Sequence, residues 1–554
     1  MPFFKKFLLI SLTFILANYL FVGEKVLDYI VLERPFKLIS YSATFLVGTL
    51  IITLFACSKS IIKYLFLGIC LLNSIAYLTY YYSTGSALAY EEFRILFEAK
   101  GMISDAFSGY YPLVVKAFLW HIPFIFAYLS WPAIKIGTKL TLATITIYII
   151  IIIGFAGLLV KKQGRGLDGR PAYIVPTAQF ALHSYLEYFG DPNKLYFHPE
   201  PRISPDTFQV THSDVSTLIV VLDESILWDM IELNRPTNIT PAILRFPNKN
   251  IINFGPSISY ANCSDVSNYS LRKFARFDKE EGDLYGGTPY YLWKLSQQAG
   301  FTPYLIDAQA DGIGHNFFTL KELEETTVIP AAELLSDADI VDLILEKRTA
   351  YPNEKQLFLV IKKGSHFPYK NEGFEPTFTP SMKSTVLTKA SREEIINSYK
   401  NRIIFNTNRF FEEIYQKINY QDNTVIIYTS DHGQTFENPG QKSFHCDPKN
   451  PSVSEGLVPF LVVGPEHALK TPTLTTIEAS QQIKSHYLLP PLIMSYLGYN
   501  DDDIRKFTEY ETVLNPETEI GFVYRRAVPH FEAKAKKFIV DQEMLDAIST
   551  TPLN

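Results

Sequence analysis

Cysteine is scarce in this chain, with four in 554 residues. A dense disulfide framework is therefore excluded, and any exported part must hold together through its own core. Charge of one sign is also scarce. Lys and Arg total 51 against 57 Asp and Glu, a net charge of −6, so no basic surplus points to a nucleic-acid partner. No internal repeat and no low-complexity segment is present. The length leaves room for several domains.

What the chain does have is an uneven supply of apolar residues. Hydrophobic residues make up 47% and aromatics 14%, and the first 160 residues hold a disproportionate share. Five runs stand out: Phe7–Val22, Leu38–Cys57, Tyr64–Ser83, roughly Tyr111–Ile134, and Leu140–Val160. Most approach the length needed to cross a bilayer as a helix. The first is short and follows Lys5 and Lys6, a pattern shared with signal peptides. No small-x-small cleavage site follows it and four more runs do, so it reads as an uncleaved helix. If the spans alternate, Lys5, Lys6, Lys59, Lys63, Lys135 and Lys139 share one side, which the positive-inside rule makes cytoplasmic. Five crossings then place the C-terminal part outside the cytoplasm. Lys161, Lys162, Arg165 and Arg170 run against the rule. A basic linker lying on anionic headgroups, or one simply solvated, accounts for them. Between the third and fourth runs, Tyr90–Lys100 mixes charge with apolar spacing. It reads either as an amphipathic helix at the membrane surface or as an ordinary connecting helix.

Residues 1–160 are thus expected to form a transmembrane domain of five helices. Residues 161–215, rich in Gly, Pro, Tyr and His, read as a bridge, and 216–554 as a soluble domain. In that last part short β-branched runs alternate with helical segments. The runs are Thr217–Leu222, Thr302–Ile306, Gln356–Ile361, Thr424–Tyr428 and Pro459–Val463; candidate helices include Tyr290–Ala299 and Arg392–Ile418. This alternation predicts an α/β fold with a mostly parallel central sheet.

Reactive side chains cluster where these runs end, which is where open α/β sheets bind ligands. Asp431 and His432 follow the run ending at Tyr428 and offer a hard oxygen beside an imidazole nitrogen, a pair suited to zinc. Asp223 and Glu224 end the first run, and two adjacent carboxylates there call for a cation or for solvent. The stretch Ser259–Ser267 is small, polar and rich in nucleophiles, and it precedes a helix-like segment. A helix N-terminus favours a thiolate or a phosphoryl oxygen, but Ser and Asp also serve there as simple caps. His366 lies just past a run and His445 lies in a loop; imidazoles so placed bind phosphate oxygens or protonate a leaving group.

The order of these pieces resembles the alkaline-phosphatase and sulfatase superfamily: Asp223-Glu224-Ser225 after a strand, a nucleophile, Gly364–Tyr369, Ser430–Gly433, then a further His. Asp307 and Gln309 are similar to its Asp-x-Gln, and Val458-Pro459 is a less specific likeness. With membrane spans in front, the chain looks like the membrane phosphoethanolamine transferases that modify lipopolysaccharide. The resemblance implies a sulfatase-like domain and a zinc site made of Glu224, the nucleophile, Asp431 and His432. It also implies that His366 and His445 hold phosphate or act as acid. The donor would be phosphatidylethanolamine and the acceptor lipopolysaccharide, at lipid A or a core sugar. The chain would sit in the inner (cytoplasmic) membrane with its catalytic domain in the periplasm.

One stretch departs from the family pattern, which carries Thr within Ser-Cys-Gly-Thr. Anchoring on Phe254 and Ser259 puts Cys263 at the Thr position and Asn262 at the Gly. Sulfatases mature a Cys within Cys-x-Pro-Ser-Arg, and Cys263–Ser267 lacks that Pro and Arg. The Thr-Ser-Asp of phosphoglycerol transferases resembles Cys263-Ser264-Asp265. Cys263 is therefore expected as nucleophile and zinc-bound thiolate, with Ser264 as its rival. Asp223 stands where the family has Gly and is expected either behind the ligands or as an extra ligand. Three alternatives accompany this reading: a phosphoglycerol transferase, a sulfatase-like hydrolase, and a membrane-anchored pseudoenzyme that binds glycolipid.

Overall fold

A computed structural model describes most of the chain. Residues 1, 32–34, 59, 130–133, 190–206, 276–280, 283–291, 311–314, 384–389, 419–421, 437–443, 448–449, 525–534 and 551–554 lie outside the description, as do most of 85–102, 162–171 and 368–372. The chain divides into two units, 1–191 and 192–554.

The first unit is helical: α1 (Pro2–Ala17), α2 (Tyr19–Val31), α3 (Pro35–Ala56), α4 (Ser60–Thr84), α5 (Ile103–Leu129), α6 (Thr138–Lys161) and α7 (Val175–Phe189). Among the described residues, four helices are long and apolar enough to cross a membrane, with spans Pro35–Ala56, Ile61–Tyr82, Tyr110–Leu129 and Thr138–Lys161. The expected fifth span does not appear as one helix. The run Phe7–Val22 is divided at Asn18 between α1, of 16 residues, and α2, of 13. Neither piece alone reaches the roughly 20 residues a bilayer requires. At the break the Asn18 side-chain amide donates to the Phe14 carbonyl, a local bond that competes with the helix ladder. Inside the bundle Phe14 contacts the rings of Phe45, Phe124 and Tyr173. Outside, Leu142, Ile147, Ile150 and Ile153 of α6 are exposed, the surface a lipid-facing helix presents. The segment expected at Tyr90–Lys100 lies for the most part outside the described residues.

The expected bridge, 161–215, is shared between the units. Its α7 is tied to α4 by the Asn73 amide, which donates to Thr177 Oγ1 at 2.6 Å and to the Tyr173 carbonyl at 2.7 Å. Its far end enters the second unit, where Phe208 packs on Tyr499 and Phe507.

The second unit is built on a sheet whose strands are β1 (Thr217–Asp223), β2 (Ile251–Ile258), β4 (Phe301–Asp307), β5 (Thr327–Pro330), β6 (Lys355–Ile361), β7 (Thr424–Ser430), β8 (Leu457–Val463) and β9 (Lys484–Ser485), in the order β5-β4-β6-β1-β7-β8-β2-β9. A second, small sheet joins β3 (Glu281–Gly282), β10 (Gly521–Tyr524) and β11 (Ala535–Ile539). The five strands from β5 to β7 are parallel, and β8 is antiparallel to β7 and to β2. Central strands covered on both faces read as continuous apolar runs. Alternate residues of β1 accordingly enter opposite cores, with Leu218, Val220 and Leu222 on one face and Ile219 and Val221 on the other.

This topology gathers the reactive segments along one edge of the sheet. The parallel strands β1, β4, β6 and β7 all end there, β2 ends there beside the start of β8, and the pairing runs Asp223 to Ser430 and Ile258 to Leu457. The expected helix 392–418 is broken by a π-turn: α-helix over Arg392–Ile403, π-turn Ile404–Asn408, then α-helix Arg409–Lys417. The extra residue in such a turn brings Asn406 and Thr407 both toward the sheet edge. Asn406 donates to the Gly364 carbonyl at 2.6 Å, and Thr407 donates to Asp223 at 2.9 Å.

Gly364, just past β6, has a positive φ of 50° and lies against the main chain of Glu224. A Cβ there would come 2.6 Å from the Glu224 nitrogen and 2.5 Å from Oδ1 of Asp223, whose carboxylate is held by Lys362, Thr407 and Tyr428. Gly364→Ala is expected to lower stability by roughly 1–3 kcal/mol, read as a lower thermal midpoint of the detergent-solubilised protein. An unchanged midpoint would contradict the close approach.

Candidate active site

Glu224 leaves the end of β1 fully buried. The next residue, Ser225, turns the chain sharply with a φ of 62°, a conformation costing on the order of 1–2 kcal/mol for a residue with a side chain. That turn aims two groups back into the site. The Ser225 N–H donates to Asp431 Oδ1 at 3.0 Å, and its hydroxyl donates to Glu224 Oε1 at 2.7 Å. From the end of β4, Gln309 donates to Glu224 Oε2 at 2.9 Å and to the Lys362 carbonyl at 2.7 Å.

From β7 come Asp431 and His432, both buried. Asp431 Oδ1 also accepts from the His432 N–H at 2.7 Å, whereas Asp431 Oδ2 is buried with no hydrogen-bond donor. The Nδ1 of His432 lies 2.8 Å from the Gly433 carbonyl, which can only accept. Nδ1 therefore carries a proton whatever the charge of the ring, and Nε2 is the nitrogen that offers a lone pair once the ring is neutral. That nitrogen is 3.4 Å from Glu224 Oε1 and 3.5 Å from Asp431 Oδ2. The donor atoms of Glu224, Asp431 and His432 all lie within 4.8 Å of one another.

Ser264 completes the cluster. It is the first residue of α8 (Ser264–Lys273), reached through the end of β2, and Cys263 is the residue before the helix. Its hydroxyl donates to Glu224 Oε2 at 3.1 Å and lies 3.1 Å from His432 Nε2. Cys263 is elsewhere. It forms a disulfide with Cys446, so the expected thiolate nucleophile and thiolate ligand does not exist in this fold.

Asp223 is also not brought to the cluster. Its carboxylate turns behind β1 and is ion-paired with buried Lys362. Tyr428 and Thr407 donate to the same oxygen at 2.8 and 2.9 Å, and Oδ1 accepts the Glu224 N–H at 2.9 Å. With its own cation and a full set of donors, Asp223 has no oxygen left for a metal and lies behind the cluster rather than in it.

The two remaining histidines lie alongside. The His445 ring centroid is 4.3 Å from that of His432 and 6.3 Å from that of His366. His445 Nδ1 donates to Gln434 Oε1 at 3.0 Å, and Gln434 in turn donates to the Tyr369 hydroxyl at 3.1 Å. Gln434 thus fixes the side of the His445 ring on which Nδ1 lies. The neighbours of the two imidazoles, Phe367 and Phe444, meet at 5.8 Å and hold the two loops together.

The electrostatics call for positive charge. Burial alone would raise the Glu224 carboxyl, but the hydrogen bond and charge of His432, with His366 behind, hold it well below the usual carboxylate range. Asp431 is pushed well above that range, by burial first and by the charge of Glu224 second. Burial lowers the His432 pKa, but Asp431 and Glu224 outweigh it and lift it to about 9. Two buried carboxylates thus compete for one imidazolium. A donorless carboxylate oxygen, an imidazole lone pair, a second carboxylate and a hydroxyl converging from separate elements make an N/O donor set that fits a divalent metal ion.

Lys362, Thr407 and Gln434 were not singled out by sequence reasoning. Lys362 carried the only usable signal, as a cation directly past an apolar strand and beside the Gly364–Tyr369 motif.

The Sulfatase family profile covers residues 216–499, about half of the chain. The protein belongs to the sulfatase family. It is 30% identical over 201 residues to a phosphoethanolamine transferase EptA of Helicobacter pylori, covering 34% of this chain and 36% of that one. It is 22% identical over 332 residues to a Kdo(2)-lipid A phosphoethanolamine 7''-transferase of Salmonella typhimurium, covering 56% of this chain and 54% of that one. The chain thus spans about a third to a half of the length of these curated relatives. In fold it is similar to an integral membrane lipooligosaccharide phosphoethanolamine transferase A of Neisseria meningitidis, with a TM-score of 0.58 at 14% identity, over 90% of this chain and 98% of that one.

A metal ion needs the neutral imidazole, and without one His432 stays protonated up to about pH 9. Metal affinity is therefore expected to rise with pH toward that value and to fall on acidification, with at least about one proton released per ion bound at pH 7. Calorimetric zinc titrations in buffers of different ionisation enthalpy count that proton. His432→Ala should abolish both the binding and the release, and binding without proton release would contradict the assignment.

Proposed function

We propose that this protein transfers phosphoethanolamine from phosphatidylethanolamine to a lipopolysaccharide acceptor, at lipid A or a core sugar, through a covalent intermediate on Ser264. One observation carries the reading: the Ser264 hydroxyl is bonded to both Glu224 and His432 in a buried cluster suited to zinc. Glu224, Asp431, His432 and Ser264 would hold the ion, which supplies positive charge beside the reacting phosphoryl group and lowers the hydroxyl pKa.

Ser264 directs its proton to Glu224 Oε2 and its oxygen to the donor phosphorus. The Oγ–P bond forms as the bond to the diacylglycerol oxygen breaks, and His445 or His366 delivers a proton to that oxygen. The acceptor oxygen then attacks the same phosphorus, an imidazole takes its proton, and Ser264 is released as its Oγ–P bond breaks, recovering its proton from Glu224. The Ser264 Oγ is set by the helix start and the two hydrogen bonds, so no search of side-chain conformers precedes attack.

We place the second unit on the outer, periplasmic side of the cytoplasmic membrane. In sequence Lys59 precedes α4 and Lys63 falls in its first turn, while Lys135 precedes α6 and Lys139 falls in its first turn. If the helices alternate, both pairs face the cytoplasm and the end of α6 faces outward. With Lys5 and Lys6 also inside, α1 and α2 together make one more crossing. Both lipid substrates then lie on the same side of the membrane as the site. The pseudoenzyme alternative drew on the altered stretch around Cys263; Ser264 supplies the nucleophile that alternative lacks.

Incubating the purified protein with phosphatidylethanolamine is expected to give a phosphoethanolamine adduct by intact-mass analysis. Ser264→Ala should remove the adduct and lower transfer about 10³-fold or more. An adduct from phosphatidylglycerol alone would reassign the donor, and an adduct that survives Ser264→Ala would reassign the nucleophile.

A further inference from the structure

The disulfide sits at a particular place. Cys263 is joined directly to Ser264, and Cys446 directly to His445. The sulfur bridge therefore links the candidate nucleophile to a candidate acid by their immediate chain neighbours, across a separation of 183 residues, with Cα atoms 4.9 Å apart. A second clasp lies over the first. The Cys446 N–H donates to the Asn262 carbonyl at 2.9 Å. The Asn262 amide donates to Glu455 Oε2 at 2.7 Å and to the Asp447 carbonyl at 3.3 Å, and the Asp447 N–H reaches the same Glu455 oxygen at 3.2 Å. Cys446 itself is held at a φ of 60°, a left-handed conformation that a residue with a side chain keeps only where its surroundings over-determine it. On the far side of this turn His445 stacks beside His432, whose Nε2 is 3.1 Å from the Ser264 hydroxyl.

We propose that the Cys263–Cys446 disulfide, backed by Asn262 and Glu455, is a positioning element that holds His445 opposite Ser264. It acts on the reaction through His445. The inference rests on the roles given above to Ser264 and His445. A cross-link serving stability alone can sit anywhere in the domain, whereas this one flanks both reacting groups. Near-attack geometry is sensitive to such placement, since a displacement of about 1 Å can cost 10²-fold in rate.

The test is a double-mutant cycle in the full-length, detergent-solubilised protein with a fluorescent phosphatidylethanolamine donor. Cys263→Ala with Cys446→Ala is expected to lower kcat about 10- to 100-fold, with KM within about twofold and bound zinc retained. His445→Ala should lower kcat about 10²- to 10⁴-fold. In the His445→Ala background, removing both cysteines should cost less than about twofold, because residues that act through one another are not additive. Losses that multiply, or a loss of zinc, overturn the proposal. If the cysteine-free variant fails to fold, Asn262→Ala with the disulfide intact takes its place, with the same non-additivity expected at smaller size. A wild-type chain that transfers nothing counts against the functional reading instead. The crystal structure of the cysteine-free variant then decides: a displaced His445 supports the positioning role and an unmoved one overturns it.

Discussion

The register between β1 and β7 is the constraint on which the site depends. Thr217 pairs with Thr424, and the pairing continues in step to Asp223 and Ser430. The residues that follow, Glu224 on one strand and Asp431 and His432 on the other, are consequently delivered side by side. A slip of one residue would turn every side chain of the strand to the opposite face. Leu218, Val220 and Leu222 would then exchange cores with Ile219 and Val221. The apolar packing on both faces therefore also sets the positions of Glu224, Asp431 and His432.

Adjacent carboxylates within this frame are put to different uses by what each faces. Asp223 finds Lys362, Tyr428 and Thr407 and becomes a fixed, neutralised strut. Glu224, one residue on, finds Gln309, Ser225, Ser264 and His432, donors that leave it ionised with no lysine or arginine among them. A buried pair such as Asp223 and Lys362 is weak evidence for stability, since desolvation offsets much of the attraction. Its effect here is geometric. It fixes the peptide between Asp223 and Glu224, and Lys362 carries the chain on to Gly364 and His366.

Much of this was legible in the chain because strands buried on both faces announce themselves as apolar runs, and the reactive residues sit directly after them. Asp431, His432 and Glu224 were found in this way, as was the mostly parallel sheet. What failed were the features set by distant partners. Cys263 looked like a nucleophile because nothing near it in sequence reveals Cys446. Asp223 looked like a possible ligand because its lysine arrives from another strand. The edge strands β5 and β9 are too short to show a period, and β2 carries a register irregularity between Asn253 and Pro256. The first apolar run was long enough in composition to suggest one helix, but a single buried Asn at position 18 divides it.

The same β1–β7 pairing sets a schedule for synthesis. The Ser430 hydroxyl and the Asp223 carbonyl it donates to are separated by 207 residues. At a typical elongation rate that interval takes roughly 10–40 s, during which β1, an apolar segment, has been made but its partner has not. Through that interval the Glu224 half of the site exists without the Asp431 half, so the newborn chain has no completed cluster for a metal ion. The cluster can close only once β7 arrives, and until β6 is made the apolar β1 has neither of its neighbouring strands.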